Sequence, residues 1–363
     1  MNAGAPSPSL SARLGLVLGG VFLALLAAEV LVRLLRPCAV HGAPQEAPQK
    51  AIYQYDERLG WRGRPGGSGV FASYGFAVRV QLDQHGYRSN VAPARAGHRN
   101  IVLIGDSVAW GWGVEDDEVA AGVMMRAHSN WNVYNLASPG YGTDQEYLAL
   151  QEFLDRNRLA PIDDCVLVLY PVNDFDDVGQ RIRYSFPKPR FVLDEGALRL
   201  TNVPVPRDRA DWYDEERVSE PEAAMTPLEH SHLFNLTWGR YRYRRRQAAA
   251  ASLRRLRRPV DAATQERRDA ENELLVQQLL LAMRSAVEIP GARFSVMLVQ
   301  TDEADERIER TASFLTEQSI PHARFMQHAF HLRDGNRCFD PHPNALGQER
   351  LAGALAALLE VQR

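Results

Sequence analysis

The chain has 363 residues, 45% of them hydrophobic and 24% charged, with a formal net charge of -3. That supplies a core for one large domain with insertions and gives no electrostatic case for nucleic acid as a partner. Three cysteines, Cys38, Cys165 and Cys338, are too few and too scattered for a disulfide framework or a zinc site.

Residues 14–32 are almost wholly apolar, close to the roughly 20 residues that cross a bilayer as a helix. Arg13 precedes them, and Arg33 and Arg36 follow. The stretch reads as an uncleaved single-pass anchor; the competing reading, a cleaved signal peptide, lacks a small-x-small cleavage site. Glu29 lies near the end of the stretch, where a carboxylate can reach the interface. Charge is nearly balanced across the segment and does not set its orientation. We assign residues 1–37 to the anchor and 38–98 to a Pro/Ala/Gln-rich linker with a small β-rich lead-in, alternating over 76–82. The main domain, 99–363, opens on Asn-Ile-Val-Leu-Ile-Gly-Asp-Ser at 100–107. Its apolar run has the pattern of a strand buried on both faces, followed by a loop at the carboxyl end.

A helix is expected over 118–127 and a strand over 131–136, then a loop through Gly140. Thr143 with Glu146 forms a capping box for a helix over 144–157. Residues 165–170 (CVLVLY) make a third strand, followed by Pro171-Val-Asn173-Asp174. A hairpin turns at Glu195-Gly196 within 191–200, and a basic helical stretch covers 240–258. Thr264 caps a helix to Val287; strands over 294–300 and 323–326 flank a helix over 303–318; Asn344 caps a helix to about Val361. Alternating strands and helices point to a parallel sheet covered on both faces.

Four loops carry chemistry: Ser107, Gly140, Asn173 and the pair Asp340-Pro-His342. Taken singly, each has a plain structural reading as a cap, turn or loop residue. Together they are the parts of acyl transfer. A serine needs a base, histidine suits that role near neutral pH, and a carboxylate orients the imidazole. Asp340 and His342, two apart in an extended loop, can share one side. The Ser107 and Gly140 N–H groups and the Asn173 amide would hold an oxyanion. Gly105-Asp-Ser107-Val-Ala is not G-x-S-x-G, and no G-x-G-x-x-G follows Ile104, which disfavours an α/β-hydrolase elbow and dinucleotide binding.

GDS at 105–107, Asn-x-x-x-x-Gly at 135–140, Asn173-Asp174 after the third strand and Asp-x-His-x-Asn at 340–344 resemble, in that order, the SGNH/GDSL hydrolase superfamily. The resemblance covers about 100–363, with an atypical insertion over about 177–253 that reads as a lid or a wall of the cleft. It implies an α/β, three-layer αβα (flavodoxin-like) fold with about five parallel strands. It also implies serine esterase or acyltransferase chemistry with no metal and no diffusible cofactor. Ser107, Asp340 and His342 would be catalytic, and Ser107, Gly140 and Asn173 the oxyanion hole. Asp106, Trp110, Trp112 and Tyr141 are the candidate substrate-binding residues; the two tryptophans either line the cleft or pack in the core.

Two departures stand out. Many members have two residues between the acid and the histidine, where this chain has only Pro341; Asp334 or a backbone carbonyl is the substitute if Asp340 points away. Pro-Val-Asn-Asp replaces Gly-x-Asn-Asp at 171–174. Elsewhere, Asp174, Asp176 and Asp177 read as a solvated acidic loop rather than a cation site, and His230 and His232 as surface residues. The basic run over 240–258 is a solvated helix or a contact for anionic lipid headgroups or an acidic polysaccharide. The expected function is hydrolysis of an O-acyl ester, such as acetyl, on a cell-surface glycan, by a membrane protein whose catalytic domain is extracytoplasmic (periplasmic). The alternatives are an O-acetyltransferase acting on an exported polysaccharide, and a non-catalytic glycan-binding or scaffold protein.

Overall fold

The computed structural model describes residues 9–35, 52–73, 76–88, 97–156, 162–183, 186–207, 231–239, 241, 245, 261–301, 305–327 and 342–361. Asp334, Cys338, Asp340 and Pro341 lie outside the described residues, as do Cys38, His230 and most of the basic run over 240–258.

In chain order, helix α1 (Leu10–Leu35) is followed by strands β1 (Tyr53–Asp56), β2 (Gly60–Gly63), β3 (Ser68–Ser73), β4 (Phe76–Gln81) and β5 (Arg99–Gly105). Next come α2 (Ser107–Trp110), α3 (Ala120–Ala127), β6 (Trp131–Asn135), α4 (Thr143–Arg156), β7 (Asp164–Leu169) and α5 (Pro171–Asp177). The insertion contributes β8 (Ile182–Arg183), β9 (Phe186–Pro187), β10 (Arg190–Asp194), β11 (Ala197–Thr201) and the short helix α6 (His232–Phe234), which runs into a π-turn at Asn235–Gly239. The chain then returns through α7 (Ala262–Glu288), β12 (Arg293–Thr301), α8 (Glu306–Glu317), β13 (His322–Gln327) and α9 (Ala345–Val361).

Five strands pair in parallel in the order β13-β12-β7-β5-β6. The central strands are apolar throughout because both faces of the sheet are covered, and their side chains alternate between two cores. Val102, Ile104, Cys165, Leu167, Phe294 and Val296 join the core under α4, α7 and α8. Ile101, Leu103, Val166, Val168, Met297 and Val299 join the other, under α3 and α9. This is the three-layer αβα architecture, with helices on both faces as the alternation dictates. Strand order reverses between β5 and β7, so a crevice opens beyond their carboxyl ends. Ser107 and Asn173 directly follow those two strands.

The smaller elements pack on this frame. The β3–β4 hairpin contributes Phe71, Val78 and Val80 to the second core, and β10 contributes Phe191 to the first. The β10–β11 hairpin turns at Glu195-Gly196, as read from sequence, with both residues at positive φ (51° and 83°), the backbone of a tight two-residue turn. Asn344 caps α9 as expected: its Oδ1 accepts from the Gly347 N–H at 3.0 Å.

Two expected caps are corrected. Asp261, not Thr264, caps α7, accepting from both the Thr264 N–H (2.9 Å) and its hydroxyl (2.6 Å). Thr143 and Glu146 form no capping box: Thr143 is the first helical residue, and its Oγ1 and both Glu146 carboxylate oxygens are buried without a hydrogen-bond partner. Both side chains are turned into the protein, where burial overrides the local capping pattern.

The chain divides into two compact units. Residues 44–223 and 258–363 hold the α/β fold, and residues 1–43 with 224–257 form the other. Within the second unit, α1 is long and apolar enough to cross a membrane, and none of the residues of that apolar stretch is buried against protein.

Candidate active site

Ser107 is placed by its neighbours. Gly105 ends β5 at φ +155°, and a Cβ there would meet the Ala109 Cβ and the Val168 carbonyl oxygen at 2.9 Å each, so the turn into α2 requires glycine. Asp106 caps α2, its Oδ1 accepting from the Val108 N–H at 2.9 Å. Ser107 is the first helical residue, so its own N–H has no acceptor within the helix. Its Oγ lies 2.7 Å from His342 Nε2, across 235 residues of chain. The histidine is held by the start of α9 two residues on, and Trp112 stacks on its ring at 5.4 Å between centroids. A neutral imidazole with its proton on Nδ1 would accept the serine proton at Nε2, the geometry of nucleophile and general base.

Asn173 sits in the first turn of α5, and its Nδ2 donates to Asp106 Oδ2 at 2.6 Å. That bond ties the amide to Asp106, the residue before Ser107, and an amide nitrogen has a second hydrogen to give. Gly140, at φ +78°, lies in the turn after β6. The loop is tied to β5 by Leu136 N–H to the Leu103 oxygen (2.8 Å) and Ser138 N–H to the Gly105 oxygen (3.1 Å). Three loops thus meet at one sheet edge.

Of the other residues singled out, Trp110 is 2% exposed and belongs to the core, its ring facing the Arg88 guanidinium at 4.5 Å. Tyr141 is buried too, donating to the Trp61 carbonyl at 2.7 Å. Trp112 therefore lies against the His342 ring, whereas Trp110 and Tyr141 are buried. Asp340, the expected orienter of His342, lies outside the described residues.

The acidic loop is not solvated. Asp174 and Asp177 are fully buried, as are Asp106, Asp144 and Glu146; Asp176 faces Arg307 at the surface. Lys188, itself fully buried, reaches in from the insertion to Asp144 Oδ2 at 2.5 Å and the Asp177 carbonyl at 3.0 Å. Sequence reading missed Glu146, Asp144 and Lys188. Among the described residues, no set of three His, Cys, Asp or Glu side chains is placed to hold a metal ion. Burial and the neighbouring carboxylates push Glu146 and Asp174 well above the usual carboxylate range.

Asp177 is pushed by burial from an ordinary 3.8 up to about 7, against the opposing charges of Arg183 and Lys188. A carboxyl that holds its proton more tightly in the folded state stabilises the fold below its unfolded pKa. That contribution is lost as pH rises from about 4 through 7. The melting temperature is therefore expected to fall between pH 5 and 8, with a shallower slope in Asp177→Asn, as read by calorimetry. A wild-type profile that rises over that interval would refute the assignment.

No family model and no curated protein matches the chain. Solved structures do. TesA shares 12% identity at a TM-score of 0.38, covering 72% of this chain and 98% of its own. A lipolytic protein of the G-D-S-L family from Desulfitobacterium hafniense shares 11% at 0.38, covering 72% and 99%. The acetyl xylan esterase Est2A of Butyrivibrio proteoclasticus shares 11% at 0.37, covering 75% of this chain and 65% of its own.

Proposed function

We propose that this chain is a membrane-anchored serine ester hydrolase of the SGNH type that works through an acyl-enzyme on Ser107. The observation that carries the reading is the 2.7 Å approach of Ser107 Oγ to His342 Nε2 at the carboxyl edge of a parallel sheet. Ser107 Oγ attacks the ester carbonyl carbon as His342 takes its proton. The carbonyl oxygen becomes an oxyanion facing the Ser107 N–H, the Gly140 N–H and the Asn173 amide. Collapse breaks the bond to the alcohol, which leaves with the proton from His342. Water, activated by the same histidine, then releases the acid and restores the serine. Asp340 takes the role of orienting Nδ1 of His342 and stabilising its charged form.

The substrate class is an O-acyl ester, acetyl in the simplest case, on a cell-surface glycan. Support comes from α1, whose length and composition suit an anchor, and from Trp112, a half-buried aromatic side chain against the base at the site. The catalytic domain lies on the extracytoplasmic side.

The test is acetate release from an O-acetylated polysaccharide by the detergent-solubilised full chain. Asn173→Ala is expected to lower kcat by about 10²–10³ with KM little changed, the mark of a donor used chiefly in the transition state. Transfer of acetyl to a glycan alcohol in preference to water would make the protein an O-acetyltransferase instead. Glycan binding without turnover in the wild type would make it a binding protein.

A further inference from the structure

Glu29 is an anomaly in an otherwise apolar stretch of α1, and the structure shows what satisfies it. Its carboxylate accepts from the Ser231 hydroxyl (2.8 Å), the His232 N–H (2.9 Å) and the Leu233 N–H (2.8 Å), and from Arg33 Nε at 2.7 Å. These contacts lie within one compact unit of the chain. They clamp the start of α6 to the last turns of α1, 202 to 204 residues away in sequence. At about 1.5 Å of rise per residue, Glu29 lies about 9 Å from the end of α1 at Leu35. A spanning helix of 26 residues is about 39 Å long against about 30 Å of hydrocarbon, so Glu29 lies about 4–5 Å inside the hydrocarbon, just below the headgroups. Where water is scarce, a carboxylate left without donors is costly, so the clamp is strongest when α1 is in a bilayer.

The clamp also sets the depth of the residues just beyond α6. The π-turn carries Trp238, and one turn on comes Tyr241; both are 48% exposed, and their rings stack at 5.2 Å between centroids. Tryptophan and tyrosine with one apolar face and one polar edge favour the membrane–water boundary. The sequence from 240 to 258 then supplies Arg240, Arg242, Arg244, Arg245 and Arg246 and further arginines, charges that attract anionic headgroups.

We infer that residues 231–239 and Tyr241 form an interfacial foot, hooked to α1 through Glu29, that seats Trp238 and Tyr241 in the headgroup layer of the bilayer α1 crosses. The foot holds this later part of the insertion at the membrane surface, on the side of the carboxyl end of α1. It rests on the reading of α1 as a spanning anchor and not on the catalytic assignment.

The test uses the full chain reconstituted in vesicles of phosphatidylcholine and phosphatidylglycerol, with lipids brominated either near the headgroup or deep in the acyl chain. The emission of Trp238, obtained as wild type minus Trp238→Phe, is expected to be quenched at least twofold more by the shallow bromines. Glu29→Ala is expected to stay in the vesicles through a carbonate wash yet lose at least half of that shallow quenching. Trp238 emission untouched by either lipid in washed, retained protein would overturn the foot and leave the anchor standing. Release of the wild type by the wash would overturn the anchor and the foot together.

Discussion

Hydrolysis of a small acetyl ester is expected to fall by about 10⁵–10⁶-fold in Ser107→Ala, to the level left by transition-state contacts alone. His342→Ala should cost about as much, and the double variant little more, because the two side chains act as one unit across their 2.7 Å contact. Neither change should disturb folding, since neither side chain belongs to the hydrophobic cores. Steady-state kinetics on the purified full chain, with melting temperature as the control, decides the point. Ser107→Ala retaining a tenth of wild-type activity would remove the nucleophile assignment, and a His342 variant that kept activity while Ser107→Ala lost it would remove the base.

Lys188→Met is expected to be the most destabilising single change outside the two cores. Lys188 is fully buried and holds a side chain from α4 and a backbone oxygen from the end of α5, the two helices that follow Gly140 and carry Asn173. Removing one partner of a buried ion pair leaves the other uncompensated, which costs about 3–5 kcal/mol. For a domain of this size that lowers the melting temperature by about 10 °C. Burial already holds the Asp144 carboxyl above its usual range in spite of Lys188. Without the lysine it would take up a proton more readily, so the loss should be smaller at pH 5 than at pH 8. Asp144→Asn in the same chain should recover part of the stability by removing the stranded charge. A melting temperature within 2 °C of wild type in Lys188→Met would contradict this account.

The contrast between these two sites shows what a sequence displays. The central strands were legible because a strand covered on both faces must be a short apolar run, as Ile101 to Ile104 and Cys165 to Leu169 are. The positions of Ser107 and Asn173 were legible because each comes soon after such a strand at the place where the strand order reverses, while Gly140 follows the edge strand β6. The buried acids were not. Asp174 to Asp177 looks like a solvated loop in any local window, and the residues that bury it, Arg183 and Lys188, arrive from the insertion. One signal was available: Lys50 and Lys188 are the only lysines among 42 Lys and Arg residues, so a lysine here is a departure from the chain's habit. A compact ammonium fits a closed pocket of carbonyls that a guanidinium fork would not. The Thr143–Glu146 pattern misled for a related reason, since the motif fits a cap while the site turns both side chains inward.

The separation of 235 residues between Ser107 and His342 has a consequence for the timing of biosynthesis. Ribosomes add about 5–20 residues per second, so Ser107 emerges on the order of ten to fifty seconds before His342. In that interval β5, β6 and β7 can pair, but β12, β13 and α9 have yet to be made. On the proposed mechanism, the nascent chain therefore carries a serine without its base. Activity, on that mechanism, begins only once the last helix, which follows His342, has been made and packed on the sheet.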